Sequence, residues 1–143
     1  MAKWIELDAS TISDDERSEV SGVEIRVGLS PFDIPDGVRG YYDDQRQRFV
    51  IEFRYIGNHE EKVAGPKDGH ITIMVGKTSG RLYEIHVDID KVSSQGIKLT
   101  LLKPEVDKAL DRLADQASEP KKRSYQVARA AFTENAQELL TSH

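Results

Sequence analysis

Gly69-His70-Ile71-Thr72-Ile73-Met74-Val75-Gly76-Lys77-Thr78-Ser79-Gly80-Arg81-Leu82-Tyr83-Glu84-Ile85-His86-Val87-Asp88 reads as two β-strands folded back on each other. Ile71, Ile73 and Val75 alternate with His70, Thr72 and Met74, and Tyr83, Ile85 and Val87 alternate with Glu84, His86 and Asp88. Period two is the signature of a half-buried strand. Strands over residues 70–75 and 81–89 register if Ile71 faces Val87, Ile73 faces Ile85 and Val75 faces Tyr83. Thr78-Ser79-Gly80 is then the tip, with glycine at the last position of a three-residue loop, where positive φ is required. A one-residue slip would set apolar against polar side chains and cost several burials of about 1.5–3 kcal/mol each.

The same alternation extends toward the N-terminus. Residues 48–56 form the strongest strand pattern, with Phe49, Ile51, Phe53 and Tyr55 on one face and Val50, Glu52, Arg54 and Ile56 on the other. Asp43-Asp44-Gln45 reads as the turn before it and Gly57-Asn58 as its end. A strand over residues 38–42 follows the turn formers Phe32-Asp33-Ile34-Pro35-Asp36-Gly37, and Val23, Ile25, Val27 and Leu29 mark an earlier strand that Ser30-Pro31 breaks. Trp4, Ile5 and Leu7 start a short strand, and residues 10–19, acidic through Asp14-Asp15-Glu16, read as a loop or short exposed helix. A short edge strand is expected at residues 60–64, and Gly65-Pro66-Lys67-Asp68-Gly69 reads as a turn.

Beyond Asp90 the period changes. Ser93-Ser94-Gln95-Gly96 is loop-like and residues 97–102 form a short apolar run suited to a last strand. Pro104 fits a first helical turn, and Val106, Ala109, Leu110, Leu113 and Ala117 make the apolar stripe of a helix. A second helix from about Pro120 carries Tyr125, Ala128, Ala131 or Phe132, Ala136 and Leu139 inward. Stripes this narrow need a covering surface: each other, the sheet or a second chain.

The fold class expected is α+β: an antiparallel β-meander of about five to six strands followed by two C-terminal α-helices. The 143 residues make one domain, divided into an acidic N-terminal segment over residues 1–22, the antiparallel sheet over 23–102 and the helix pair over 103–143. Hydrophobic residues at 38% supply one core beneath a surface from a chain that is 31% charged. The absence of cysteine excludes disulfides, thiolate metal sites and cysteine nucleophiles, and suits a reducing bacterial cytosol. Acids enter the N-terminus before a signal-length apolar run forms, and no segment has the roughly 18 apolar residues of a membrane span, so a cytoplasmic protein is expected. A net charge of −5 repels a phosphate backbone and disfavours nucleic acid as a partner.

Tyr42-Asp43, the alternating strand 49–53, Glu60 to Val63, Gly69 to Ile73 and Gly80 to Val87 together outline a pattern. It resembles a group of small uncharacterised bacterial β-meander domains over residues 42–90, about a third of the chain. Gly65-Pro66-Lys67 stands as an insertion against that pattern, and the helical C-terminal third has no counterpart in the short members. The resemblance implies a fold. It transfers no functional residue, because that group has no established activity.

Two constellations carry candidate chemistry. In the register above His70 faces Asp88 and Thr72 faces His86, with Glu84 next on the same face. Cross-strand neighbours stand about 4.5–5.5 Å apart at Cβ, so His70, His86, Asp88 and Glu84 are candidate metal ligands of the kind that suits Zn, Fe or Mn. The plainer alternative is a set of ordinary wet residues on a solvated sheet face. Lys121-Lys122-Arg123 opens the second helix, where positive charge opposes the helix dipole, and Arg129 extends the patch along one side with Tyr125. Lys121, Lys122, Arg123 and Arg129 are therefore candidate ligand-binding residues for an anion or acidic partner, against the alternative of a solvated linker.

Several motifs fail on inspection. His59-Glu60-Glu61 lacks the second histidine of a zinc-protease helix, since position 63 is valine. Gly76-Lys77-Thr78 lacks the earlier glycine of a phosphate loop and leads into a strand. No Gly-x-Ser-x-Gly elbow occurs, and no cofactor motif is present. The sequence thus favours a non-catalytic binding or protein-interaction module, with a protein partner or self-association through the C-terminal helices and no membrane. The alternative is a small metal- or ligand-binding enzyme using the polar face around His70, His86 and Asp88.

Overall fold

The computed structural model describes residues 3–7, 17–20, 23–26, 34–43, 45–56, 60–88, 102–118 and 121–141. They form eight strands, β1 (Ile5–Glu6), β2 (Arg17–Val20), β3 (Val23–Arg26), β4 (Gly37–Asp43), β5 (Arg48–Arg54), β6 (Lys62–Asp68), β7 (Ile71–Gly76) and β8 (Leu82–Asp88), followed by two helices, α1 (Leu102–Gln116) and α2 (Lys121–Thr141). Six strands make one antiparallel sheet in the order β1-β4-β5-β8-β7-β6, and β2 and β3 make a separate antiparallel pair. The α+β class stands as the alternation predicts. After β5 the chain crosses to the far edge, and β6, β7 and β8 walk back until β8 lies beside β5.

The register of β7 and β8 agrees with the sequence at Ile71–Val87, Thr72–His86, Ile73–Ile85 and Met74–Glu84, and departs at the loop end, where Val75 pairs with Leu82. Tyr83 is the extra residue of a bulge. The bulge lets the consecutive side chains of Leu82 and Tyr83 both be buried, which strict alternation forbids. Gly80 takes φ of 75°, as the loop demands, and its N–H donates to the carbonyl of Gly76 at 2.9 Å.

Three expectations need correction. Residues 65–68 are not a turn: β6 runs through them with a bulge between Ala64 and Lys67, and the chain reverses in the two-residue loop Gly69-His70. Gly69, at φ of 59°, sits at the first central position, where a II′ hairpin turn needs positive φ. Pro66 stays in the strand because β6 is a sheet edge, where a missing N–H costs no ladder bond. Residues 17–19 are strand, not loop or helix, since Arg17–Val20 finds a partner in Val23–Arg26. Leu102 opens α1 and so belongs to no final strand, while the rest of that apolar run, 97–101, lies outside the described residues.

Both helices cover one face of the sheet. Phe49, Ile51, Phe53, Ile71, Ile73, Ile85 and Val87 meet Val106, Leu110 and Leu113 of α1 and Tyr125, Ala128, Phe132, Ala136 and Leu139 of α2 in a single core. The stripes read from the sequence are therefore buried within the chain. Gly40 of β4 lets α2 approach closely: a Cβ there would stand 3.3 Å from the carbonyl oxygen of Leu139. Polar ties fix the layers. Arg112 of α1 grips both oxygens of Asp68 on β6, at 2.7 and 3.0 Å, and the Leu82 N–H donates to Ser124 Oγ on α2 at 3.1 Å. Between the helices, buried Asp107 accepts from Thr133 Oγ1 at 2.6 Å and from Lys103 Nζ at 2.9 Å.

Candidate functional site on the open face of the sheet

Among the described residues no helix covers the opposite, open face of the sheet, and the register arranges its side chains in rows across the strands. Val50, His86, Thr72 and Lys67 form one row, from β5 through β8 and β7 to β6. Arg48 opposite Asp88 forms the next, continued by His70, whose carbonyl accepts the Asp88 N–H at 3.0 Å. On the other side of the Val50 row stand Arg39, Glu52, Glu84 and Met74.

A chain of contacts runs along this face. Arg48 Nη1 lies 2.8 Å from His86 Nδ1, His86 Nε2 lies 2.7 Å from Glu84 Oε1, and Lys62 Nζ reaches over β7 to Glu84 Oε2 at 3.0 Å. A guanidinium can only donate, so Nδ1 is the acceptor and the ring proton sits on Nε2. The histidine holds Glu84 in its charged form, and with Lys62 it keeps that carboxyl well below the ordinary 4.5, at about 2, against the opposing effect of burial. Contrary to the wet face read from the sequence, His86 is 8% exposed. Its ring lies between the Arg48 and Glu84 side chains.

The sequence places His70, His86, Asp88 and Glu84 on one face, and the structure does too. Among the described residues, however, no group of three or more His, Cys, Asp or Glu side chains is disposed to hold a metal ion. Both ring nitrogens of His86 face Arg48 and Glu84. Exposed His70 and Asp88 instead line the mouth of a cleft of about 230 Å³ with Arg46, Arg48, Lys67, Gly69, Thr72 and His86. Sequence reading missed Arg46, Arg48 and Lys67 as its companions. Alternation alone puts Arg48 opposite the core face, but only the β5–β8 pairing brings it to His86.

The basic patch of the second helix is divided. Lys121 lines another cleft, of about 540 Å³, between the β7–β8 loop, β6 and Tyr125. Arg129 pairs with Asp111 of α1, its Nε 2.9 Å from Oδ1, and so ties helix to helix. Lys122 and Arg123 lie in the first turn of α2, half-buried and exposed respectively. At the loop beside it, Glu60 Oε1 accepts the N–H groups of Thr78 and Ser79, each at 2.9 Å, while its Oε2 accepts the Tyr83 hydroxyl at 3.1 Å. This carboxylate pins the hairpin tip.

No protein-family model, curated protein or solved structure matches this chain. Among the described residues no helix is long and apolar enough to cross a membrane.

Proposed function

We propose that the protein is a non-catalytic binding module whose binding surface is the open face of the sheet. The observation that carries this reading is the asymmetry of the two faces. One is sealed by α1 and α2, while the other presents fixed polar side chains around a cleft. A solvated face with no task needs no such order, since exposed ion pairs contribute only about 0–1 kcal/mol each. The Arg48–His86–Glu84–Lys62 chain holds its members in one arrangement, which is what preorganised recognition requires.

Strand addition at the β6 edge is disfavoured by Pro66, the bulge, and Lys62 and Lys67, features that blunt an edge against pairing. Side chains of the face are therefore the recognition elements. A thermal-shift screen against metal ions, anions, nucleotides and small metabolites tests the reading, with each stabilising ligand mapped by backbone amide shifts. Perturbations around Arg39, Arg48, Thr72 and His86 are expected. Perturbations confined to the helix layer, or chemical turnover of the bound ligand, would overturn the proposal.

A further inference from the structure

We infer that the cleft at the Arg46, Arg48 and Lys67 end of the open face binds a small oxyanion of the phosphate type, an assignment that rests on the open-face reading above. Elsewhere on the six-stranded sheet and its hairpin loops the described basic side chains are matched with acids, as are Arg112 and Arg129 of the helices. Lys108, Lys121 and Lys122 on the helices have no acidic partner among the described residues. Arg39 pairs with Glu52, Arg54 with Asp36 and Glu6, Lys62 with Glu84, Lys77 with Glu61, Arg112 with Asp68 and Arg129 with Asp111. The cleft breaks that pattern. Among the described residues that line it, Arg46, Arg48 and Lys67 stand with Asp88 as the one acid, a formal charge of 3 − 1 = +2 with both histidines counted as neutral, in a chain of net charge −5.

The register explains both the convergence and the imbalance. Asp88 stands opposite Arg48 in the register, so the acid of the described lining lies on the same row as that arginine, whose guanidinium is turned to His86. The neighbouring acid in that row, Asp43, turns its Oδ1 to the N–H groups of Gln45 and Arg46 at 3.1 and 3.3 Å. Among the described residues Arg46 and Lys67 have no acidic partner. Like charges drawn into a shared concavity repel, and an anion between them removes that cost.

The donor chemistry is that of oxyanion recognition. Guanidinium forks match phosphate and carboxylate oxygens, Lys67 adds a point charge, and Thr72, opposite His86 in the register, adds a hydroxyl donor to the lining. Size narrows the ligand. At about 230 Å³ the cleft falls below the roughly 300–1,000 Å³ of sites for drug-sized molecules, which suits inorganic phosphate or a small phosphomonoester and not a nucleotide.

Amide-shift titrations of the full chain with inorganic phosphate and with glycerol phosphate, at ionic strength fixed by chloride, test this. Saturable shifts centred on Arg46, Arg48, Gly69, Thr72 and His86 are expected, weakened about tenfold or more by R46E and by K67E. Both side chains are exposed, so the variants keep the fold. Tighter binding of the ester marks a phosphorylated metabolite as the ligand, and equal binding marks the free ion; either supports the assignment. Absence of saturable shifts, or saturation unchanged in both variants, overturns it. If the open face is instead perturbed only by neutral or cationic ligands in the screen above, the binding-module reading survives and the oxyanion assignment falls.

Discussion

Arg48 on β5 donates to Nδ1 of His86 on β8 at 2.8 Å, and this single bond fixes which histidine nitrogen carries the proton. The Nε2–H then serves Glu84, whose carboxyl is held at about 2 chiefly by that hydrogen bond. Because the folded-state value is depressed from 4.5, the group stabilises the fold above about pH 4.5, and the contribution is lost as pH falls toward 2. After discounting for solvent screening, on the order of 1–2 kcal/mol is at stake. Glu84→Gln is expected to lose that amount near neutral pH and to flatten the stability curve between about pH 4.5 and 2. Urea melts of both proteins across that range check it, and parallel curves would refute it.

The opposite sign holds at Tyr83. Burial, and next the hydrogen bond to Glu60, push its hydroxyl up to about 12. Its protonated form therefore supports the fold fully below pH 10, and that support fades as pH rises through about 12. In an absorbance titration, Tyr83→Phe should remove a phenolate transition near the upper limit. It should also cost about 1–2 kcal/mol by taking a donor from a carboxylate. A variant whose titration matches the parent would exclude the assigned partner.

How much of this was legible in the sequence depended on what each feature needs. The strands at residues 48–54 and 71–88 were readable because period-two alternation is local, and so were both helix stripes. The Tyr83 bulge was not, since Leu82 and Tyr83 are both apolar and either one fits the inward set. Pro66 misled for a related reason: as a turn former it argues against a strand, and only its place on an edge makes it tolerable. The cleft was half visible. His70, Thr72, His86 and Asp88 come from one hairpin, whereas Arg48 arrives through a pairing with β8 that spans distant sequence, and Lys67 through the tight β6–β7 hairpin that reading residues 65–69 as a turn concealed.

Asp107 is a buried carboxylate held by two donors, one from its own helix and one from α2. Thr133→Val keeps the shape and deletes the donor at 2.6 Å, leaving one oxygen buried with less compensation. A loss of about 1.5–3 kcal/mol is expected, the range for hydrogen bonds to charged groups. Chemical denaturation measures it. A loss below about 0.5 kcal/mol would show that water replaces the hydroxyl and that the two helices are not joined there.

Gly80 meets two demands at once, and the last prediction separates them. Its φ of 75° lies in the left-handed region, where any side chain carries a penalty of about 1–2 kcal/mol. A Cβ would also stand 3.0 Å from Lys121 Cγ, at the first turn of α2. Gly80→Ala should therefore cost more than the backbone penalty alone. Adding Lys121→Ala removes the obstructing stem and should recover the steric part while leaving the φ penalty, so the double variant is more stable than Gly80→Ala by itself. If Lys121→Ala lowers the stability of Gly80→Ala as much as it lowers that of the parent, the tip and the helix are uncoupled. The contact between the β7–β8 loop and α2 would then contribute nothing to holding the hairpin against the helix layer.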